Sequence, residues 1–192
     1  VGSLREDIAP RDFVVVDQFV DRTKRSADHT FFGNGIVAHI SFGDPVCPEL
    51  REALASAVAR VLEGSGPGPA GRPPQVHTGG TYLNMEGPAF STRAESFLYR
   101  SWGASVVGMT NLPEAKLARE AEISYATLAM PTDYDCWHDD HDQVSVEAVI
   151  AVLRHNVGLA KDIIRAAVPR IVAHDGPAPM SSALRNAIMT SP

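Results

Sequence analysis

Two acidic residues, two positions apart, are the first candidates for chemistry in the sequence. Asp133 and Asp135 follow a run of small and apolar residues at 123–130, which is typical of a buried strand. Side chains at positions i and i+2 of a strand point to the same face, so a strand continuing this far would aim both carboxylates at one point. A buried acid is costly unless it is paired, hydrogen-bonded or protonated. The pair is therefore either a site for acid–base chemistry or a solvated turn, where Asp is common.

A second polar cluster, HDDHD at residues 138–142, follows the pair closely. A metal site needs ligands in a defined coordination geometry, which such a compact run of polar residues does not supply. We interpret this segment as an exposed loop before a helix and expect no metal there.

The elements that would position the acid pair are strands alternating with helices, a pattern that favours a layered α/β fold. β-Branched and aromatic runs predict strands at residues 12–20, 35–42, 76–85, 104–109 and 123–130. Apolar residues at helical spacing predict helices at residues 48–62, 113–120, 146–168 and 182–189, and one that begins at a cap on Ser91 or Thr92. Ligands of such folds bind at the carboxyl ends of strands, and the acid pair lies at one.

The size and composition of the chain suit one globular domain. Its 192 residues are 44% hydrophobic and 21% charged, which excludes a disordered chain. Residues 64–74 are mostly Gly and Pro, so we predict an exposed, flexible loop there. The net charge of −6 gives no attraction to nucleic acid or to an anionic membrane. Cys47 and Cys136 lack metal-type spacing, and a reduced, cytoplasmic protein is the expectation.

Three further segments occur in a recognisable order: GGTYLNMEGPAFSTRAES at 79–96, SWGASVVGMTNLPEAKLARE at 101–120 and ATLAMPTDYDCW at 126–137. With the upstream segments at 2–23 and 31–48, they resemble the trimeric purine nucleoside phosphorylases, and most closely the branch that acts on 5′-methylthioadenosine. The resemblance covers essentially the whole chain. It implies that residues 1–192 form the C-terminal two-thirds of a single domain with a central mixed β-sheet flanked by helices.

The reaction that the resemblance implies is a phosphorolysis. Inorganic phosphate, as co-substrate, attacks the anomeric carbon of 5′-methylthioadenosine and releases adenine and 5-methylthioribose 1-phosphate, with no cofactor. Because the leaving purine gains negative charge, a general acid that protonates its five-membered ring lowers the barrier. By resemblance Asp133 is that acid, while Asp135 stays ionised and accepts a hydrogen bond from the exocyclic amine. A neighbouring carboxylate raises the proton affinity of such an acid.

The resemblance also assigns residues around the base and the ribose. Phe90 would form one wall of a flat purine pocket, although an isolated Phe is more often a core residue. Ser91 would lie at the pocket edge. Val107 and Met109, on the same predicted strand, would also contribute to substrate binding, with Met109 packed along the ribose. Thr110 would line the phosphate side.

The remaining assignments concern the 5′ end of the nucleoside and the neighbouring subunit. Val146 and Val149 share one helix face and would form an apolar slot for the methylthio group, although simple core packing would also explain them. His39 is either a core-edge histidine or a contact to a neighbouring subunit. Phe31 and Phe32 lie near glycines and would reach toward the next subunit's pocket in a homotrimer.

The family's phosphate ligands, a Gly-rich turn with a hydroxyl side chain and an Arg–His pair, are not recognisable in this sequence. We therefore expect the 192-residue chain alone to be inactive unless the rest of the fold accompanies it, for example as a separate N-terminal fragment. Two alternatives stay open: a phosphorylase for 6-oxopurine nucleosides or methylthioinosine, and a non-catalytic purine-binding or assembly subunit. The carboxylate of Asp133, where the 6-oxopurine branch carries Asn, favours a 6-aminopurine.

Overall fold

The computed structural model describes residues 1–24, 29–68, 70–138 and 146–190, apart from the side chains of residues 146–149 and 151. The strands in this part of the chain are β1 (Gly2–Ser3), β2 (Phe13–Val15), β3 (Gln18–Asp21), β4 (Val76–Thr78), β5 (Thr81–Asn84), β6 (Ala104–Gly108) and β7 (Leu128–Ala129). The helices are α1 (Pro48–Leu62), α2 (Arg93–Ser101), α3 (Glu114–Glu120) and α4 (Val146–Val172), and a 3-10 turn spans Asp135–Trp137.

The strands form two mixed sheets, which confirms the layered α/β fold. One sheet has the order β1–β6–β5–β3, in which β6, β5 and β3 are parallel and β1 is antiparallel to β6. The other has the order β4–β2–β7, with β7 antiparallel to β2. The register places Asp21, Asn84 and Gly108 side by side at the carboxyl ends of β3, β5 and β6. We call this edge the strand-end edge, and it is where a fold of this kind binds ligands.

One hydrophobic core joins the two sheets. Val14 of β2, Tyr82 of β5 and Val106 of β6 pack in a single buried cluster. On the opposite face of β2, Phe13 packs against α1 and α4 through Val58 and Ile163. Because Phe13 and Val14 point to opposite faces, β2 is buried on both sides, as its apolar sequence predicts.

Helix α2 begins where its sequence predicts. Thr92 is the N-cap and accepts a hydrogen bond from the backbone N–H of Glu95 at 3.2 Å, while the Glu95 carboxylate accepts from the Thr92 N–H at 2.8 Å. This reciprocal capping box satisfies two backbone donors that the first turn leaves free. It fixes the start of α2 and thereby the position of Ser96, one turn into the helix.

Five predicted elements differ in the structure. The single strands predicted at 12–20 and 76–85 each divide into two short strands that belong to different sheets, β2 and β3 in the first case and β4 and β5 in the second. The strand predicted at 35–42 is wrong: Ala38 alone forms an isolated bridge, to Ile188. β-Branched residues favour a strand only where a partner strand exists, and Ile36 and Val37 are exposed. The strand predicted at 123–130 shortens to β7. Where a helix was predicted at 182–189, residues 179–187 form successive i→i+3 turns and Ile188 forms the bridge to Ala38.

The described part of the predicted loop, which omits residue 69, contains no helix or strand. One end of it is nevertheless fixed, because the Arg72 guanidinium donates to both carboxylate oxygens of buried Asp12 at 2.8 and 2.7 Å. His77 Nε2 lies 2.9 Å from the same carboxylate, and the Gln75 N–H donates to it at 2.9 Å. Burial by itself would raise the pKa of Asp12, but the hydrogen bonds from His77 and Arg72 outweigh it and hold that pKa well below its usual range.

Candidate active site

Asp133 and Asp135 lie next to each other, and a turn brings them together. β7 ends at Ala129, and Asp133 joins β1 through an isolated bridge in which the Ser3 N–H donates to the Asp133 carbonyl at 2.8 Å. Asp135 has a left-handed backbone (φ 54°) and begins the 3-10 turn. Its N–H donates to Oδ1 of Asp133 at 2.8 Å, as in an Asx turn. The strand geometry expected for the pair is therefore wrong, although its consequence, two adjacent acids, is present.

Each acid of the pair has its own hydrogen-bond partner. Thr132 Oγ1 donates to Oδ2 of Asp133, and Ser96 Oγ donates to Oδ2 of Asp135, both at 2.6 Å. Burial raises the pKa of Asp135; the Ser96 hydrogen bond opposes this shift, and the nearby charge of Asp133 adds to it. A carboxyl with a raised pKa beside a second carboxyl is suited to proton transfer. The division of roles between the two acids stays a prediction.

Gly2 of β1 packs against both acids. A Cβ at this position would lie 3.1 Å from Cβ of Asp135 and 3.2 Å from Oδ1 of Asp133. A side chain here would therefore displace the pair, and Gly2 leaves it room. Because Gly2 pairs with Val107 of β6, the acid pair also lies beside the strand-end edge. The sequence carries no local signal for this role, which arises from a contact between distant segments.

Ser91 connects the segment after β5 to Cys136, the residue that follows Asp135. Cys136 Sγ donates to the Ser91 carbonyl at 3.4 Å, and Ser91 Oγ donates to Met85 Sδ at 3.5 Å. Phe90 is 83% exposed, so the alternative that it is an ordinary core aromatic is wrong for this structure. An exposed aromatic ring beside the buried Ser91 is available to stack against a flat ligand.

Met109 and Thr110 follow β6 at the strand-end edge. Met109 packs on Gly87, where a Cβ would lie 2.7 Å from its sulfur. A Cβ on Gly108 would lie 2.0 Å from the Tyr82 hydroxyl, so glycine at this position makes room for Tyr82. That hydroxyl lies 3.4 Å from both Oγ1 and N of Thr110. Thr110 is thus fixed at the edge with its side chain exposed.

The other predicted site residues are Val107, Val146, Val149 and His39. Val107 is 4% exposed and packs in the core with Leu4 and Leu83, so it supports the strand-end edge from behind. The side chains of Val146 and Val149 lie outside the described residues, and the apolar slot stays a prediction. His39 is exposed in this chain, and its backbone N–H donates to the Ala187 carbonyl at 2.8 Å; its role stays a prediction.

Of the predicted polar loop at 138–142, only His138 is described; it stacks on Tyr134 with ring centroids 4.8 Å apart. Within the described ranges, no group of three or more His, Cys, Asp or Glu side chains could hold a metal ion. The same ranges contain no helix with the length and apolar character needed to cross a membrane.

A layered α/β fold with two adjacent acids beside the carboxyl ends of its strands defines a class of ligand-binding proteins, and comparison with known proteins identifies the family. The model of the phosphorylase superfamily matches residues 1–169. The chain belongs to the phosphorylase superfamily, as its motifs indicated. This result confirms the resemblance on which the site assignments are based.

Two curated relatives show how much of such a protein the chain represents. The S-methyl-5′-thioadenosine phosphorylase of Geobacter sulfurreducens is 58% identical over 190 residues, which are 99% of this chain and 62% of that relative. The enzyme of the same name from Thermosynechococcus vestitus is 57% identical over 192 residues, 99% of this chain and 63% of that relative. The chain therefore spans somewhat less than two-thirds of the length of these relatives.

Solved structures agree with this assignment. A methylthioadenosine phosphorylase from an antarctic soil metagenomic library matches with a TM-score of 0.88 and 44% identity, over 99% of this chain and 63% of that chain. The methylthioadenosine phosphorylase of Schistosoma mansoni, solved in complex with adenine, matches with a TM-score of 0.87 and 34% identity, over 98% and 70%.

Proposed function

We propose that the natural polypeptide that contains this sequence catalyses phosphorolysis of 5′-methylthioadenosine. This polypeptide is called the full-length protein below. The observation that carries the proposal is the adjacent pair Asp133 and Asp135 beside the strand-end edge. Relatives with 50–58% identity bear the name of that activity, which supports the choice of substrate. A related Schistosoma mansoni structure contains methylthioadenosine itself.

In the proposed reaction, an oxygen of inorganic phosphate forms a bond to the anomeric carbon as the bond from that carbon to the purine nitrogen breaks. The bonding pair leaves with the purine, and Asp133 supplies a proton to the five-membered ring. Asp135 accepts a hydrogen bond from the 6-amino group and so orients the base. Stabilising the charge that develops on the leaving group is what accelerates the step.

Other residues would complete the site around this chemistry. Exposed Phe90 would cover one face of the base, and the exposed Thr110 side chain would face phosphate. Val146 and Val149 would enclose the methylthio group. Phosphate is the co-substrate in this proposal, and no cofactor is required. A reduced, cytoplasmic compartment remains part of the proposal.

The relatives contain a part of the domain that this chain does not cover. We further propose that the active form includes that part. Helix α4 supports this view, because it carries an exposed apolar stripe at helical spacing: Ile150, Leu153, Val157, Ile164, Val168 and Ile171. Monomeric proteins seldom leave so continuous an apolar surface in water. The remaining part of the domain, in the same polypeptide or as a separate fragment, would cover it.

The test is an assay of the full-length protein with 5′-methylthioadenosine and phosphate. We expect release of adenine that depends on phosphate, with a higher kcat/KM than for methylthioinosine. Faster conversion of methylthioinosine would favour the 6-oxopurine alternative. Adenine binding without turnover would favour the non-catalytic alternative, and either result would contradict the proposal.

A further inference from the structure

Ser96 is a fully buried polar residue in helix α2, with 0% of its surface exposed. Serine is seldom fully buried, and a buried hydroxyl needs a hydrogen-bond partner. Its partner here is the Asp135 carboxyl at 2.6 Å, 39 residues away in sequence. A bond of this length between a hydroxyl and a carboxylate belongs to the strong, charge-assisted class.

This contact completes the positioning of Asp135. The backbone of Asp135 is left-handed, and its N–H donates a hydrogen bond to Oδ1 of Asp133. This hydrogen bond fixes the position of the Asp135 backbone. The side chain then reaches toward α2, where the Ser96 hydroxyl binds one of its two carboxylate oxygens. Without that bond the carboxyl could rotate, and either oxygen could face the ligand.

We propose that Ser96 is a positioning residue that fixes which oxygen of Asp135 meets the 6-amino group of the purine. The inference rests on the proposed function, in which Asp135 accepts that hydrogen bond. The capping box at Thr92 fixes the start of α2, and it therefore also fixes the height of Ser96 along the helix axis. Helix α2 thus positions Ser96, and Ser96 in turn positions the Asp135 carboxyl that contacts the base.

Loss of the Ser96 hydroxyl has two consequences that a purely structural role would not produce. The Ser96 hydrogen bond lowers the pKa of Asp135 against the effect of burial, so its removal raises that pKa further. Less of Asp135 is then ionised at mildly acidic pH, and the acid limb of the kcat/KM profile moves to higher pH. Because Asp135 holds the base in both ground and transition states, the loss appears mainly in KM.

The experiment compares Ser96→Ala with Ser101→Ala in the full-length protein. Ser101 is the matched control, because it lies in the same helix, is exposed and donates only to the Leu98 carbonyl at 2.7 Å. We expect Ser96→Ala to lower kcat/KM for 5′-methylthioadenosine about tenfold, the usual effect of losing one hydrogen bond to a charged group. Ser101→Ala should leave it unchanged. Ser96→Cys, which keeps the size and donates weakly, should fall between wild type and Ser96→Ala.

Methylthioinosine, which lacks the 6-amino group, separates positioning from general damage. Ser96→Ala should affect it less than 5′-methylthioadenosine. Equal losses on both substrates, or an unchanged kcat/KM and pH profile, would overturn the role of Ser96. If the wild-type protein itself does not convert 5′-methylthioadenosine, the proposed function fails separately. In that case, calorimetry with adenine tests the role of Ser96 separately. An equal Kd for wild type and Ser96→Ala overturns the inference.

Discussion

At the scale of single residues, the acid pair shows how unlike environments can separate two chemically identical groups. Asp133 accepts hydrogen bonds from Thr132 and from the Asp135 backbone. Asp135 accepts a hydrogen bond from Ser96, and burial is the chief cause of its raised pKa. The resemblance gives the proton-donor role to Asp133, while the raised pKa lies on Asp135. Paired carboxyls in unlike environments commonly divide the acid and the ionised roles.

Replacing each acid by its amide assigns the roles. Asp133→Asn should lower kcat/KM for 5′-methylthioadenosine by about 10²–10⁴-fold, the usual contribution of a general acid, and mainly through kcat. Asp135→Asn should act mainly through KM. Asp162→Asn, in an exposed ion pair with Arg165, is the control and should have no effect. Steady-state kinetics with adenine detection measures all three, and the opposite pattern for the two acids would exchange their roles.

The raised pKa of Asp135 also predicts a dependence of stability on pH. Because the folded pKa lies above the unfolded value of about 3.9, the folded state binds this proton more tightly, and stability falls as pH rises through the folded pKa. Asp135→Asn should therefore raise the free energy of unfolding at pH 7 and lose this advantage below about pH 4. Urea unfolding at both pH values measures it. A variant destabilised equally at both would show that the carboxylate is not a cost to folding.

At the scale of elements, Asp12 connects β2, β4 and the segment after α1. It is 1% exposed and accepts hydrogen bonds from Arg72, His77 and the backbone of Gln75 and Ala9. A buried carboxylate with this many donors holds the segments that supply them in a fixed arrangement. The described end of the Gly- and Pro-rich loop is anchored in this way, which its composition alone does not indicate.

Removing one donor from this cluster should be expensive. Arg72→Ala leaves a buried carboxylate short of its strongest partner and should lower the free energy of unfolding by about 3 kcal/mol. The control is Arg51→Ala, whose ion pair with Asp17 is over one-third exposed on both sides and should cost less than about 1 kcal/mol. Urea unfolding at pH 7 compares them. Because Asp12 has a lowered pKa, its contribution to the free energy of unfolding is lost as pH falls below about 4. Arg72→Ala removes part of that contribution, so the free energy of unfolding of the variant should fall less steeply in acid. Equal losses in the two variants would contradict this account.

The elements also show which features a sequence reveals. Helices α1 and α2 were predictable because their periodicity, Pro48 and the Thr92 cap are local signals. The strand expected at 35–42 failed because a strand depends on a partner that local sequence does not specify. The acid pair was found from its spacing, although a turn positions it. Ser96 was missed because its contact with Asp135 spans 39 residues, and no local pattern encodes such a pair.

At the scale of the whole molecule, exposed aromatic residues indicate that part of the described surface is covered in the active form. Phe31 is 66% exposed, and its N–H donates to the Glu120 carboxylate at 2.7 Å. This bond fixes the backbone at Phe31 while the ring remains outside. His39 is exposed as well. Exposed aromatic groups on a fixed backbone usually mark an interface.

We predict that the full-length protein is a homotrimer in which Phe31, Phe32 or His39 reaches the next subunit's pocket. A closed ring of three uses one heterologous interface repeated around the axis, so a residue at that interface serves a neighbour's site. Phe31→Ala should therefore lower kcat/KM for 5′-methylthioadenosine about tenfold or more, because a truncated aromatic contact commonly costs over 1 kcal/mol. Light scattering should still give three times the subunit mass. Phe97→Ala, in an exposed aromatic of α2, is the control. A fully active monomer at micromolar concentration would exclude a shared site, and equal effects of the two substitutions would place Phe31 outside it.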